Sequence, residues 1–102
     1  MRDAGTQTKN LPPRVEQDIL YLARKYGVRR VILFGSRARG DNRERSDIDL
    51  AVSGGDVGEF ADAVEEEAWT LLLFDVVNLD RGVSPALQAE IDRDGVVLYD
   101  EV

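Results

Sequence analysis

The sequence predicts a small α/β domain in which helices pack on a mixed β-sheet. Apolar runs of strand length alternate with helical stripes in the order α-β-β-α-β-α-β. Glycine, proline and capping residues separate these segments, and no repeat or low-complexity tract interrupts them. A chain of 102 residues has the size of one domain. We therefore expect a polar, disordered tail over residues 1–10 and one folded domain over 11–102.

Three of the predicted helices have clear sequence signals. Apolar side chains recur at helical spacing over residues 14–26. Asp56 is followed three residues later by Glu59, which is typical of a capped helix start. Ser84-Pro85 is a favourable pair for the N-cap and first turn of the last long helix.

The predicted strands are four short apolar runs, over residues 30–34, 47–53, 72–79 and 96–99. In the second run, Asp47, Asp49 and Ala51 share one face because side chains alternate along a strand. The opposite face carries Ile48, Leu50 and Val52. Since the first face begins with two carboxylates, we expect this strand to be covered on one side only.

The stretch from Gly35 to Asp49, GSRARGDNRERSDID, is the most informative part of the chain. A strand that ends in Gly35-Ser36 can open a helix whose backbone N–H groups and hydroxyl hold a phosphate. Asp47 and Asp49 would point the same way, and two carboxylates beside a phosphate suit Mg²⁺ and a nucleotide triphosphate. Alternatively, they are exposed strand-edge residues, with Ser46 and Asp47 capping a turn. The Gly-Ser pair upstream favours the first interpretation.

Asp75 is the third candidate carboxylate. It stands in the apolar run Leu73-Phe74-Asp75-Val76-Val77, where a lone carboxylate is costly unless it is paired or binds a metal. If its strand lies beside that of Asp47 and Asp49, it could complete a metal-binding triad or accept the proton of an attacking hydroxyl. Alternatively, it is an edge residue in water. Asp80 is a weaker candidate that is typical of a turn.

Composition narrows the chemistry that the site can use. The chain has no cysteine and no histidine, so carboxylates and hard cations remain. A net charge of −7 argues against nonspecific binding of duplex nucleic acid. No apolar run approaches the ~20 residues of a membrane span, so we expect no membrane segment and a cytoplasmic protein. Around the motif, however, six arginines indicate either a local anion site or a solvated loop: Arg29, Arg30, Arg37, Arg39, Arg43 and Arg45.

The two halves of the motif together resemble a known signature. The segment 35–40, GSRARG, followed by 46–50, SDIDL, is similar to that of the polymerase-β-type nucleotidyltransferase superfamily. The resemblance is closest to the minimal nucleotidyltransferases (MNT) that are antitoxin partners of HEPN proteins. Residues 74–80 fall where that family places its third carboxylate, and 91–99 resemble its closing helix and strand. The resemblance covers most of the chain and implies the minimal polymerase-β-like fold.

The resemblance also implies a reaction. Asp47, Asp49 and Asp75 would be the catalytic carboxylates and would bind Mg²⁺, as a pair of ions. An acceptor hydroxyl would attack the α-phosphorus of a nucleotide, usually ATP, and pyrophosphate would leave. Asp75 would also serve as the base.

The nucleotide-binding residues implied by the resemblance surround these carboxylates. Gly35, Ser36 and Ser46 would contact the nucleotide, with the first two at the triphosphate. On physical grounds, Arg37 or Arg39 can steady the β- and γ-phosphates. The alternative is that these arginines form ion pairs with acidic neighbours, Asp41 or Glu44.

The acceptor is expected to arrive on another protein, because the minimal fold includes no domain for it. The resemblance implies a tyrosine hydroxyl of a HEPN toxin, which AMP attachment silences. Trp69, Leu71 and Leu72 are a candidate docking surface, unless they are ordinary core residues. Two alternative functions remain: transfer to a small-molecule or RNA hydroxyl, and a non-catalytic antitoxin that neutralises its partner by binding.

Overall fold

The computed structural model describes residues 10–101, which form a four-stranded sheet with helices packed on it. In chain order the elements are α1 (Pro13–Lys25), β1 (Arg30–Phe34), α2 (Ser36–Arg39), β2 (Ile48–Ser53), α3 (Val57–Glu67), β3 (Phe74–Asn78), a 3-10 turn (Leu79–Arg81), α4 (Pro85–Asp94) and β4 (Val96–Asp100). None of the helices in this range has the length and apolar character needed to cross a membrane. The predicted α/β class with a mixed sheet is confirmed.

The bounds of the elements differ from prediction mainly around β3. The strand predicted over residues 72–79 forms only over Phe74–Asn78. It ends early because the Asn78 side chain accepts a hydrogen bond from the Asp80 amide at 2.9 Å and so turns the chain into the 3-10 turn. The predicted tail, 1–10, lies outside the described residues except for Asn10.

The predicted helix starts are confirmed by their hydrogen bonds. The Asp56 carboxylate caps α3 by accepting from the Glu59 amide at 3.2 Å. The Ser84 hydroxyl caps α4 by accepting from the Leu87 amide, also at 3.2 Å. Each cap satisfies a backbone donor that the first helical turn would otherwise leave without a partner.

The sheet order is β3-β2-β1-β4. The pairs β1–β2 and β1–β4 are antiparallel, whereas β2–β3 is parallel. The carboxyl end of β1 therefore lies beside the amino ends of β2 and β3. Residues from three separate segments of the sequence meet at this one edge of the sheet.

The two faces of the sheet are both covered, which differs from the prediction of a strand covered on one side. The face toward α1 and α3 buries Val31, Leu33, Ile48, Leu50 and Val52. The other face buries Ile32, Phe34 and Ala51 against Ile91 of α4. Ala51 is fully buried, whereas Asp49 on the same face is only partly buried. The second face is thus closed by α4 in its middle and opens toward the amino end of β2.

Gly55 lies just after the carboxyl end of β2 and packs closely against the backbone of the turn that follows α1. We expect Gly55→Ala to lower the free energy of unfolding by about 2–4 kcal/mol and Gly82→Ala by about 1 kcal/mol. Both glycines have positive φ, 65° and 84° respectively. A Cβ at Gly55 would collide with the Gly27 carbonyl, whereas one at Gly82 would meet no atom within 4 Å. Urea unfolding of both variants measures the difference, and equal losses would contradict a packing role for Gly55.

Candidate active site

Three aspartates gather at the edge where β2 and β3 begin. Asp49 and Asp75 are paired in register on the two parallel strands. The backbones of neighbouring strands lie about 4.8 Å apart. Asp47 precedes β2 by one residue, two positions before Asp49. Asp49 is partly buried, while Asp47 and Asp75 are exposed. The predicted neighbourhood of β2 and β3 is therefore present, and it brings the three carboxylates to one side of the molecule.

The carboxylates influence one another electrostatically. Burial raises the pKa of Asp49 to about 6, and the negative charges of Asp75, Asp47 and Glu90 act in the same direction. Arg39 opposes them. Within residues 10–101 no three acidic side chains converge tightly enough to enclose a metal ion as they stand. The predicted metal-binding roles of these residues stay predictions.

Gly35 lies directly against the Asp49 carboxylate. An added Cβ at this position would collide with Asp49 Oδ2, and the backbone has φ 75°, which favours glycine. Gly35 follows the last residue of β1, Phe34, which pairs with Asp49 across the antiparallel ladder. The glycine therefore leaves room for the carboxylate at the point where the chain turns into α2.

The predicted change from strand to helix at Gly35-Ser36 is confirmed. Ser36 is the first residue of α2 and is partly buried, and the Gly35 carbonyl accepts hydrogen bonds from the Ala38 and Arg39 amides, both at 3.1 Å. The helix has only four residues and ends at Gly40, which is left-handed with φ 89°. The turn thus places Ser36 two residues after Phe34, the strand partner of Asp49.

Arg39 forms the ion pairs that were considered as its alternative role. Its Nε lies 3.1 Å from Asp41 Oδ2, and its Nη1 lies 3.5 Å from Glu90 Oε2 and 3.9 Å from Asp94 Oδ2. Exposed ion pairs of this kind contribute little stability and exchange readily. The guanidinium therefore stays available to an anion at the site, and its predicted nucleotide contact is untested.

Arg37 and Ser46 both form hydrogen bonds that hold the loop before β2. The Arg37 guanidinium is buried and donates to the carbonyl of Ser46 and to two others. The Ser46 hydroxyl accepts from the Arg43 amide at 2.8 Å and closes a turn. This is the turn that was considered as the alternative role of Ser46, and the predicted nucleotide contacts of both residues stay predictions.

Of two further acidic residues, Glu90 lies near Asp49, whereas Asp80 lies beyond the other end of β3. Asp80 lies in the 3-10 turn that follows β3, which confirms its interpretation as a turn residue, and its Oδ2 accepts from the Gly54 amide at 2.8 Å. Glu90, on α4, was not among the candidates from the sequence, yet it raises the pKa of Asp49 and pairs with Arg39. No local pattern indicates this role, because only the packing of α4 on the sheet brings Glu90 near β2.

The arrangement has the donor chemistry of a site for a hard divalent cation. Carboxylate oxygens are the ligands that Mg²⁺ prefers. Asp49 would be the central ligand, since its ionised form is disfavoured by burial and by three neighbouring carboxylates. A cation beside Asp49 would reverse that penalty.

Comparison with known proteins identifies the family to which the chain belongs. Residues 16–101 match the family described as "Polymerase beta, Nucleotidyltransferase". Because the match spans most of the sequence, the chain belongs to the polymerase beta nucleotidyltransferase family. Its small mixed sheet and its structural relatives make it a member of the minimal nucleotidyltransferase type. No curated protein sequence matches the chain significantly.

Three solved structures illustrate the similarity. A toxin-antitoxin crystal structure with AMP-PNP has a TM-score of 0.64 and 28% identity, over 83% of this chain and 73% of that chain. The toxin-antitoxin MntA-HepT has a TM-score of 0.61 and 26% identity, over 83% of this chain and 69% of that chain. A structure described as a minimal nucleotidyltransferase has a TM-score of 0.61 and 32% identity, over 79% and 86%.

The raised pKa of Asp49 predicts a pH-dependent stability in the absence of metal. Its value of about 6 in the folded protein lies above the ordinary 3.8, so the folded state binds the proton more tightly than the unfolded state. Stability should therefore fall as pH rises from about 4 to about 6, and Asp49→Asn should remove this loss. We expect about 1 kcal/mol, since solvent screens a partly exposed carboxylate.

Urea unfolding with a chelator at about pH 4 and about pH 7.5 measures this difference between wild type and Asp49→Asn. Asp62→Asn, which removes an exposed carboxylate on α3, is the matched control. A stability difference between wild type and Asp49→Asn that is the same at both pH values would contradict the electrostatic account.

Proposed function

We propose that this protein is a Mg²⁺-dependent nucleotidyltransferase that transfers AMP from ATP to a hydroxyl group of a partner protein. One observation carries the proposal: Asp49 sits in register with Asp75, against Gly35 and two residues from Asp47. Family membership supports the transfer chemistry. The similarity to toxin-antitoxin structures, one of them with AMP-PNP, supports the nucleotide and an antitoxin role.

In this proposal Asp47 and Asp49 hold Mg²⁺, and Asp75 completes the set. Burial and neighbouring carboxylates raise the pKa of Asp49 to about 6, so its ionised form is the one that a cation would stabilise most. When bound, Mg²⁺ supplies neutralisation of the charge that develops on the attacking and leaving oxygens. The chain supplies the position and the protonation state of its three carboxylates.

Asp75 is suited to accept the proton. It is exposed at the edge of the sheet, beside Asp49, where an acceptor from outside can reach it. As the acceptor oxygen bonds to the α-phosphorus, its proton passes to Asp75. The bond from that phosphorus to the bridging oxygen breaks, and pyrophosphate leaves with the electron pair.

The triphosphate is proposed to lie over the turn from β1 to α2. Gly35 has no side chain to obstruct an approach, and Ser36 follows it directly. The Arg39 guanidinium is close enough to Asp49 to act on its pKa. Ser46, immediately before Asp47, borders this site from the loop. Arg39 can leave its exposed ion pairs to bind phosphate oxygens, since a phosphate offers it a stronger charge-assisted contact.

The proposed partner surface begins beside Asp47. The segment between α3 and β3 exposes Trp69, Leu71 and Leu73 to 72%, 100% and 65% respectively. A cavity of about 560 Å³ connects this segment to Asp47. Several large apolar side chains that are exposed to water close together are typical of protein interfaces. Leu72 differs, because it packs against the core, which was the alternative role considered for it.

We propose that this surface, Trp69 to Leu73, docks a HEPN-family protein and presents one of its hydroxyls, expected to be a tyrosine, to Asp75. The similarity to MntA-HepT supports the kind of partner. Its position next to the carboxylates supports a role in delivering the acceptor, since docking there brings the partner within reach of the reacting phosphorus.

Replacing single carboxylates tests the chemistry. Asp49→Asn and Asp75→Asn should each lower the rate of AMP transfer by at least about a hundredfold, because one removes a metal ligand and the other the base. Asp62→Asn should retain the rate. The measurement is mass spectrometry of the acceptor protein after incubation with ATP and Mg²⁺. Wild-type rates in both site variants would contradict the proposal, and neutralisation of the toxin by both would favour the non-catalytic antitoxin.

Replacing one exposed leucine tests the partner surface. Leu71→Glu should weaken binding of a HEPN-type protein encoded by the adjacent gene by at least about tenfold, because it places a charge in an apolar contact. Binding of AMP-PNP with Mg²⁺ should not change. The matched control is Val97→Glu, which changes a 47%-exposed apolar residue on the opposite edge strand, β4.

Calorimetric titration of each variant with the partner gives the affinities. Equal loss in both variants would contradict a specific surface at Leu71. Efficient transfer to a small molecule or an RNA with no protein present would instead favour the alternative acceptors.

A further inference from the structure

Among residues 10–101, Arg37 is the only charged residue that is buried, with 4% of its surface exposed. Burial lowers the pKa of its guanidinium. Removing a guanidinium from water is unfavourable unless hydrogen bonds replace the lost solvent. No carboxylate in the described part of the chain forms an ion pair with it, so its stabilisation has another source.

The guanidinium is stabilised by three backbone carbonyls. Nη1 donates to the carbonyl of Asn10 at 2.7 Å, Nη2 to that of Glu44 at 3.0 Å, and Nε to that of Ser46 at 3.0 Å. Each of the three nitrogens of the planar group therefore has its own acceptor. The acceptors come from the segment before α1 and from two positions of the loop that joins α2 to β2.

This loop has little else to hold it in place. None of the side chains from Gly40 to Asp47 is buried. Its other hydrogen bonds are local, such as the Ser46 amide to the Arg43 carbonyl at 3.1 Å and the Arg43 amide to the Ser46 hydroxyl at 2.8 Å. These bonds close a turn, but they do not attach the turn to the body of the domain.

The attachment has a direct consequence for the carboxylates. Ser46, whose carbonyl Arg37 holds, is bonded through the peptide link to Asp47. The position of this carbonyl fixes the plane of the peptide that enters Asp47, and with it the direction in which the chain begins β2. On the other side of Asp47, Ile48 is fixed by the hydrogen bond that its amide donates to the Leu73 carbonyl at 2.9 Å.

We propose that Arg37 is a positioning residue that holds the loop before β2 so that Asp47 stands beside Asp49, and that it does not bind the triphosphate. This inference rests on the proposed function, since it assigns Asp47 to Mg²⁺. It also separates the two arginines of the motif: Arg37 acts inside the protein, and Arg39 faces the site. Only a planar group with several fixed donors can hold three carbonyls in this way, so lysine is not an equivalent.

The test compares Arg37→Ala, Arg37→Lys and, as a matched control, Arg43→Ala in the same loop. Hydrogen–deuterium exchange of amides 41–46 reports on the loop, and Mn²⁺ titration reports on the carboxylates. We expect both Arg37 variants to exchange these amides at least about tenfold faster and to bind Mn²⁺ at least about tenfold more weakly, because a carboxylate displaced by even 1 Å loses its ligand geometry. Exchange in α3 should not change, and Arg43→Ala should behave as wild type.

Two further measurements distinguish positioning from phosphate binding. Guanidinium ion at low millimolar concentration should restore both slow exchange and Mn²⁺ affinity in Arg37→Ala, because it can occupy the space between the same carbonyls. AMP-PNP affinity without divalent metal should remain within about twofold of wild type in Arg37→Lys. Unchanged loop exchange together with weakened AMP-PNP binding would overturn the proposal.

The variants keep this inference separable from the proposed function. If Arg37→Ala does not fold, Arg37→Lys gives the same readouts, and wild-type exchange in a folded Arg37→Lys overturns the positioning role. If wild-type protein itself fails to bind Mn²⁺ or to transfer AMP, the proposed function fails, while the exchange data still decide whether Arg37 holds the loop.

Discussion

The parallel register between β2 and β3 is the constraint on which the rest of the site depends. It places Asp49 beside Asp75, and the next pairs along the ladder, Leu50 with Val76 and Ala51 with Val77, are apolar. A slip of one residue would exchange the faces of β3, and Phe74 and Val76 would leave the core against which they pack. Burial in the body of the sheet therefore holds the register, and the two carboxylates at its end are kept together although their charges repel.

The repulsion is only partly relieved within the chain. Arg39 is the cation that lowers the pKa of Asp49, but it also forms ion pairs with Asp41, Glu90 and Asp94. Burial, together with this remaining repulsion, makes Asp49 hold its proton more tightly than an ordinary aspartate. Unfavourable electrostatic interactions of this kind are characteristic of functional sites, where ligand binding offsets the lost stability. The same feature that disfavours the metal-free protein at neutral pH makes a divalent cation the complementary ligand.

The molecule is unevenly built around this site. The end away from it is closely packed, with Gly55 against the backbone of the turn after α1. The end that carries the carboxylates consists of exposed loops, one held by the buried guanidinium of Arg37 and the other displaying Leu71. A packed sheet that presents exposed loops at one end is suited to bind ligands there.

Local signals in the sequence were sufficient for the elements and for the carboxylates themselves. Local interactions can be predicted from sequence because they involve residues only a few positions apart. Examples are the helix caps at Asp56 and Ser84, the bend at Gly35 and the spacing of Asp47 and Asp49. The metal and nucleotide contacts derived from them stay predictions, since they concern groups outside the chain.

Tertiary structure alone decided the coverage of the second face by α4, the approach of Glu90 to Asp49 and the burial of Arg37. Each depends on where a distant segment packs, and the guanidinium of Arg37 in particular takes its environment from the carbonyls of Asn10 and Ser46. An arginine in a charged loop is ordinarily solvated. The physical reason that this one is buried is that folding brings three backbone acceptors around it, and no pattern of residue types specifies where backbone carbonyls will meet.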